Sequence, residues 1–256
     1  MKTLFAIVTA AACLWPLHCG AAGGAYPLDR APDHSSDMQA LQRGAKLFVN
    51  YCLNCHGAQS MRYNRLKDIG LTDEQIKSNL LLAGEKVGEL MTTSLSRKDA
   101  KQWFGAAPPD LSVIARARAS GDGSGADWIY TYLRTFYRDS SRESGWNNAV
   151  FANVGMPHVL HELQGEQRAK FVKEKDPHDQ AKMVDKLEGF EIVKPGRMNR
   201  LEYDRAMADL TGFLVWMAEP VAAQRKQLGI LVLIFIGLFL FPCAWLLNRS
   251  FWKDIH

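Results

Sequence analysis

Cysteine is scarce in this 256-residue chain, which has five. Cys13 and Cys19 fall in an N-terminal apolar stretch and Cys243 in a C-terminal one, so only Cys52 and Cys55 remain between them. A disulfide-laced secreted scaffold is thereby excluded. Charge of one sign is lacking as well. Lys and Arg number 31 against 27 Asp and Glu, and no basic cluster is interleaved with aromatics, so nucleic acid is not an expected partner. Internal repeats are missing, and there is no convincing run of alternating polar and apolar residues. The expected fold class is therefore mainly α.

The two apolar stretches read differently. Lys2, an apolar run from Leu4 to Leu17 and small residues from Gly20 to Ala25 make the three-part pattern of a secretory signal, with residues 1–22 removed. That run is too short for about 30 Å of hydrocarbon, and Pro16 interrupts it. Pro16, Leu17 and His18 before Cys19 match a lipid-attachment site poorly. Leu228 to Leu247, in contrast, carries no charge, and as a helix it reaches about 30 Å, enough to cross a bilayer. A single transmembrane helix is predicted over 227–248, with Pro242 tolerated in lipid and Trp245 and Trp252 at interfacial positions. Arg225 and Lys226 on one flank balance Arg249 and Lys253 on the other, so the export signal decides the orientation. Residues 23–226 are then exported as one domain, and 249–256 form a short cytoplasmic tail.

Within the exported part, a helix from Asp37 to Tyr51 is expected to run straight into Cys52, and a second from Glu202 to Met217 to end before Pro220. Residues 162–191 are rich in both acids and bases with few large apolar side chains. They are expected to be a solvated helical or looped excursion, and no chemistry is assigned to them.

Cys52-Leu53-Asn54-Cys55-His56 is the strongest chemical signal. Covalent attachment of a haem c needs two thiols one helical turn apart to add to its two vinyl groups, and a following imidazole to ligate the iron. Structural zinc would want a second Cys/His pair. A thioredoxin-like dithiol would leave His56 without a role. One covalent haem is expected, on Cys52 and Cys55 with His56 as an axial ligand.

The sixth ligand has several candidates. Met207 and Met217 sit on a helix whose apolar face packing already explains, and Met61 follows His56 closely. Met156 lies in the loop Gly155-Met156-Pro157, where a core side chain is less expected. His158 and His161 are rivals for bis-histidine ligation. A thioether is soft and neutral and favours Fe(II), which raises the potential. Haem propionates need donors, and Arg116 and Arg118 follow the Pro108-Pro109-Asp110-Leu111-Ser112 turn. Either one is suited to pair a propionate, or both are simply solvated. The Pro109 carbonyl is placed to receive the other ring nitrogen of His56.

Taken together, these segments resemble cytochrome c1, the haem subunit of quinol:cytochrome c reductase (complex III). The resemblance runs through Cys52 to His56 with Met61-Arg62-Tyr63-Asn64-Arg65-Leu66, then Pro108 to Ser112 with Ala117-Arg118. It continues in Asp127-Trp128-Ile129-Tyr130, Asn153-Val154-Gly155-Met156-Pro157, and Trp216-Met217-Ala218-Glu219-Pro220 before the anchor. The resemblance implies a cytochrome-c-like haem domain with insertions plus one C-terminal transmembrane helix. It implies Met156 as the sixth ligand, Arg118 on a propionate, and Pro109 and Trp128 in the haem pocket. The implied partners are cytochrome b, the Rieske iron–sulfur subunit and a soluble or tethered cytochrome c. The implied location is the bacterial inner membrane, single-pass, with the haem domain in the periplasm and the C-terminus in the cytoplasm. On its own the chain is then an electron carrier, not an enzyme. The alternatives are a free-standing membrane-tethered shuttle, for which about 100 residues around the haem would suffice, and a catalytic haem protein such as a peroxidase, which would need an open axial position.

Overall fold

The structure, a computed structural model, describes residues 26–175 and 183–253. The signal read at residues 1–22 lies outside them, as do the last three residues of the tail. In chain order the helices are α1 (Met38–Leu47), α2 (Asp73–Asn79), α3 (Arg97–Phe104), α4 (Ile114–Ala117), α5 (Gly125–Arg134), α6 (His161–Gln164), α7 (Arg200–Ala218) and α8 (Ala222–Trp252). The strands are β1 (Ala58–Arg62), β2 (Leu90–Met91), β3 (Phe136–Arg138), β4 (Trp146–Asn148), β5 (Gly165–Lys175) and β6 (Met183–Pro195). They pair as three separate antiparallel two-stranded sheets: β1 with β2, β3 with β4, β5 with β6. The fold is mainly helical with one long apolar C-terminal helix, as the sequence pattern predicts.

The chain forms two compact units, one from residues 32–116 with 201–253, the other from 26–31 with 117–200. In the first, Asp37 caps α1 by accepting from the N–H groups of Gln39 and Ala40. The helix buries Ala40, Leu41, Gly44 and Ala45. It continues through a π-helical turn, Phe48–Cys52, so the predicted helix does run into Cys52, but by a widened last turn. Against it lies α7. A Cβ on Gly44 would stand 2.7 Å from Phe213 Cβ and collide with the Asp209 carbonyl, so only glycine permits this approach. Phe48 and Phe213 meet with ring centroids 5.5 Å apart. Both helices are also tied by charge, since Arg43 grips the buried Asp209 carboxylate through Nε and Nη2, and His34 Nδ1 reaches the same carboxylate. The sequence suggests one apolar face on α7, yet every residue from Met207 to Leu214 is buried, Asp209 and Thr211 included. A helix enclosed on all sides has no solvent face to show.

After a turn at Pro220, α8 runs for 31 residues with nothing of the protein covering its apolar window. It extends beyond the predicted 227–248 at both ends. The missing N–H and ring of Pro242 are accommodated by a π-helical segment, Ile236–Leu240, just before it. Among the described residues it is the one helix long and apolar enough to cross a membrane.

In the second unit, α5 starts with a capping box between Ser124 and Asp127. The expectation of helix or loop for 162–191 is overturned here, while its solvated character holds: the segment is mostly β5 and β6, a long ladder from Gly165 opposite Pro195 to Lys175 opposite Met183. Most of its residues on both faces are exposed. A ribbon wetted on both sides needs no alternation of polar and apolar residues, so the period-2 signal is missing. At its root Gly165 takes φ 90°, where a side chain would strike the Lys194 carbonyl.

Candidate functional site

The Cys-x-x-Cys-His segment begins on the π-helical turn that ends α1. Leu53 N–H donates to the Phe48 carbonyl, and the N–H groups of Cys55 and His56 both donate to the Cys52 carbonyl. This backbone turn brings two thiols and an imidazole together. Both thiols are free, Cys52 buried and Cys55 half-buried. Burial pushes the Cys52 thiol up to about 12 and raises that of Cys55 as well. They are neutral thiols at pH 7, unlike the low-pKa thiolate of a redox dithiol.

His56 is oriented by main chain. Its Nδ1 lies 2.7 Å from the Pro109 carbonyl oxygen. A carbonyl can only accept, so Nδ1 carries the proton and Nε2 presents its lone pair. Burial lowers the pKa of His56, which favours the same neutral imidazole. The Pro109 carbonyl is fixed by a small lattice of bonds between its turn and the strand after His56. Asp110 accepts from the N–H groups of Gln59 (2.8 Å) and Ser112 (2.9 Å), Ser112 Oγ accepts from Ser60 N–H, and Leu111 N–H donates to the Gly57 carbonyl. Asp110 and Ser112 thus position His56 through Pro109. The sequence hint for this was an Asp with Ser two residues on, the mark of an Asx turn.

In the other unit, Met156 is held by side chains. Asn147 Oδ1 accepts from Asn153 N–H, and the buried Asn148 Oδ1 accepts from the N–H groups of Val150 and Phe151. Asn148 Nδ2 donates to the Tyr132 carbonyl. Arg142 donates to both the side-chain and main-chain oxygens of Asn153, whose φ of 61° turns the chain toward Gly155. Met156 itself is half-buried, and its Sδ accepts from the Tyr132 hydroxyl at 3.3 Å. Burial raises the Tyr132 pKa, so that hydroxyl is a donor at any ordinary pH.

Beside it, Trp128 stacks on Tyr132 with centroids 4.7 Å apart, and the Arg118 guanidinium lies 4.3 Å over the Trp128 ring. Arg118 and Trp128 also line one 290 Å³ cavity. Arg116 goes elsewhere: it is paired with Glu219, which also takes Arg225 at 2.6 Å. Of the two arginines, only Arg118 therefore stands beside this aromatic column. His158 is stacked on Phe136 with centroids 4.9 Å apart and meets Trp146 edge-on. Burial pushes its pKa down to about 3, the state of a neutral core imidazole. The ring of His161 leans on the His158 carbonyl through Nδ1.

Two free neutral thiols beside an imidazole whose Nε2 is available are the donor set that covalent haem attachment requires, and in that respect the residues fit a haem c.

Comparison with known proteins agrees with this chemistry. A protein of Nitrosomonas europaea named ammonia monooxygenase gamma subunit is 47% identical over 243 residues, covering 95% of each chain. Cytochrome c1 of Allochromatium vinosum is 43% identical over 237 residues, 92% of this chain and 93% of its own. A longer protein of Bradyrhizobium diazoefficiens named cytochrome b/c1 is 26% identical over 250 residues, which are 86% of this chain and 34% of that protein. The profile of the cytochrome C1 family matches residues 29–255, and on that match, with 43% identity to a cytochrome c1 over nearly the whole chain, this protein belongs to the cytochrome c1 family.

Proposed function

We propose that the chain takes electrons from a Rieske iron–sulfur subunit and passes them to a soluble or tethered cytochrome c. It does so through one haem c bound covalently at Cys52 and Cys55, with His56 and Met156 as axial ligands. Membership of the family supports a haem electron-transfer role in a bc1-type complex. The observation that carries the reading is the His56 imidazole, neutral and aimed by the Pro109 carbonyl beside two free thiols.

When bound, the haem supplies a one-electron Fe(III)/Fe(II) couple. His56 offers Nε2, and the soft neutral thioether of Met156 favours the reduced state. With His56 and Met156 both holding the iron, no coordination site would be left for substrate or oxygen, so the chain would act as a carrier and the complex as a whole as the oxidoreductase. Arg118 is assigned to a haem propionate, its planar fork suited to a carboxylate, and Trp128 and Pro109 to the pocket wall. The exported domain is 23–226, periplasmic on the bacterial inner membrane after removal of residues 1–22, with 249–256 cytoplasmic. The transmembrane helix stands beside cytochrome b, a partner that the name of the Bradyrhizobium relative supports.

A second reading takes its support from the name of the Nitrosomonas relative, that of a subunit of an ammonia monooxygenase. A detergent pull-down of the tagged full chain from its native membranes, with mass spectrometry and a dithionite-minus-ferricyanide spectrum, separates the readings. Co-purification of cytochrome b and a Rieske protein with a c-type band is the expected result. Monooxygenase subunits in their place would favour the second reading. A c-type band without partners would mean a free-standing tethered shuttle.

A further inference from the structure

Tyr132 makes a bond that packing alone does not explain. Its ring is already fixed by Trp128, stacked one helical turn earlier at 4.7 Å and 14°, and by Phe136, edge-on at 5.0 Å. Phenylalanine would fill that space equally well. The hydroxyl instead donates to a thioether, one of the weakest acceptors in a protein, from a half-buried ring. An O–H spent on so weak an acceptor does little for stability, yet it acts directly on the sulfur. Tyr132 also fixes the loop that carries that sulfur. Its carbonyl accepts from Asn148 Nδ2, and Asn148 in turn holds the backbone of Val150 and Phe151. Hydroxyl and loop are thus anchored to the same point on α5.

We propose that Tyr132 is a positioning residue that tunes the Met156 ligand: its O–H takes one lone pair of Sδ, orients the other, and weakens the sulfur as an electron donor. A weaker donor stabilises Fe(III) less than Fe(II), so the hydrogen bond raises the potential of the bound haem. This rests on the reading of Met156 as an axial ligand.

The test is Tyr132→Phe in the full-length, haem-loaded protein, which keeps the ring and deletes only the hydroxyl. Potentiometric titration and the far-red thioether-to-Fe(III) charge-transfer band are measured beside the wild type. The variant is expected to keep its haem and its unfolding temperature to within the loss of one weak bond, to shift the far-red band, and to have a lower potential. At fixed ambient potential the ratio of reduced to oxidised haem should fall roughly two- to tenfold, the weight of a single hydrogen bond. A far-red band in the wild type with band and potential unchanged or raised in the variant would overturn the role of Tyr132 alone. Absence of the band from the wild type would overturn the Met156 reading and this one with it. Tyr132→Leu provides a second arm: a potential equal to that of the Phe variant assigns the effect to the hydroxyl, and a drop seen only with Leu assigns it to the ring and contradicts the proposal.

Discussion

His56 is oriented by main chain and Met156 by side chains. The first sits one residue after Cys55, and its proton meets a backbone carbonyl held by a short turn. The second depends on three asparagines, an arginine and a tyrosine spread from Tyr132 to Asn153. In the proposed haem site, His56, next to the two thiols, needs only to be rotated correctly. Met156, proposed as the ligand a hundred residues away, lies on a loop whose backbone has no regular structure to pair with, and a web of amide bonds holds that loop in shape. The two supports should therefore fail differently.

Removing both anchors, Cys52→Ala with Cys55→Ala, has the largest expected effect, the complete loss of covalent haem, read as loss of haem stain after denaturing electrophoresis. Retained stain would refute the attachment. On the methionine side, Asn148→Ala empties the site of a buried side chain, takes the acceptor from the N–H groups of Val150 and Phe151, and removes one of the donors to the Tyr132 carbonyl. The expected cost is about 3 kcal/mol, seen as a lowered unfolding temperature of the detergent-solubilised protein, with the haem still attached. On the histidine side, Asp110→Ala releases two N–H groups at an exposed turn, where water replaces the carboxylate. About 1 kcal/mol is expected, with a larger effect on the haem spectrum than on stability. Equal stability losses from these last two variants would erase the contrast.

Acid gives the mildest perturbation. Hydrogen bonds from Ser141 and Asn147 hold the Asp139 carboxyl below its ordinary value. A depressed carboxyl contributes its stabilisation above the unfolded pKa and loses it as pH falls through the folded one. The grip of Asp139 on Asn147 is thus intact at neutral pH and fades below roughly pH 4. The far-red band should weaken there before covalent haem or helix content changes.

The same contrast explains what was legible in the sequence. Cys52, Cys55 and His56 carry their chemistry in their spacing, and α8 declares itself by twenty uncharged residues from Leu228 to Leu247. Both signals are local. The bonds from Gln59 to Asp110 and from Tyr132 to Met156 escaped because their partners lie some fifty and twenty-four residues apart, a distance no local pattern encodes. The ribbon of β5 and β6 escaped for another reason: solvent on both faces leaves its strands without a period. The buried circumference of α7 from Met207 to Leu214 likewise removes the polar stripe that would have marked its orientation there.

The central proposal is that His56 and Met156 ligate one iron. Potentiometric titration of the purified full-length protein beside Met156→Leu tests it most directly. The account predicts that both retain covalent haem, and that the variant loses the far-red band, shows a lower potential and accepts electrons more slowly. Identical potentials and reduced spectra in the two proteins would contradict it.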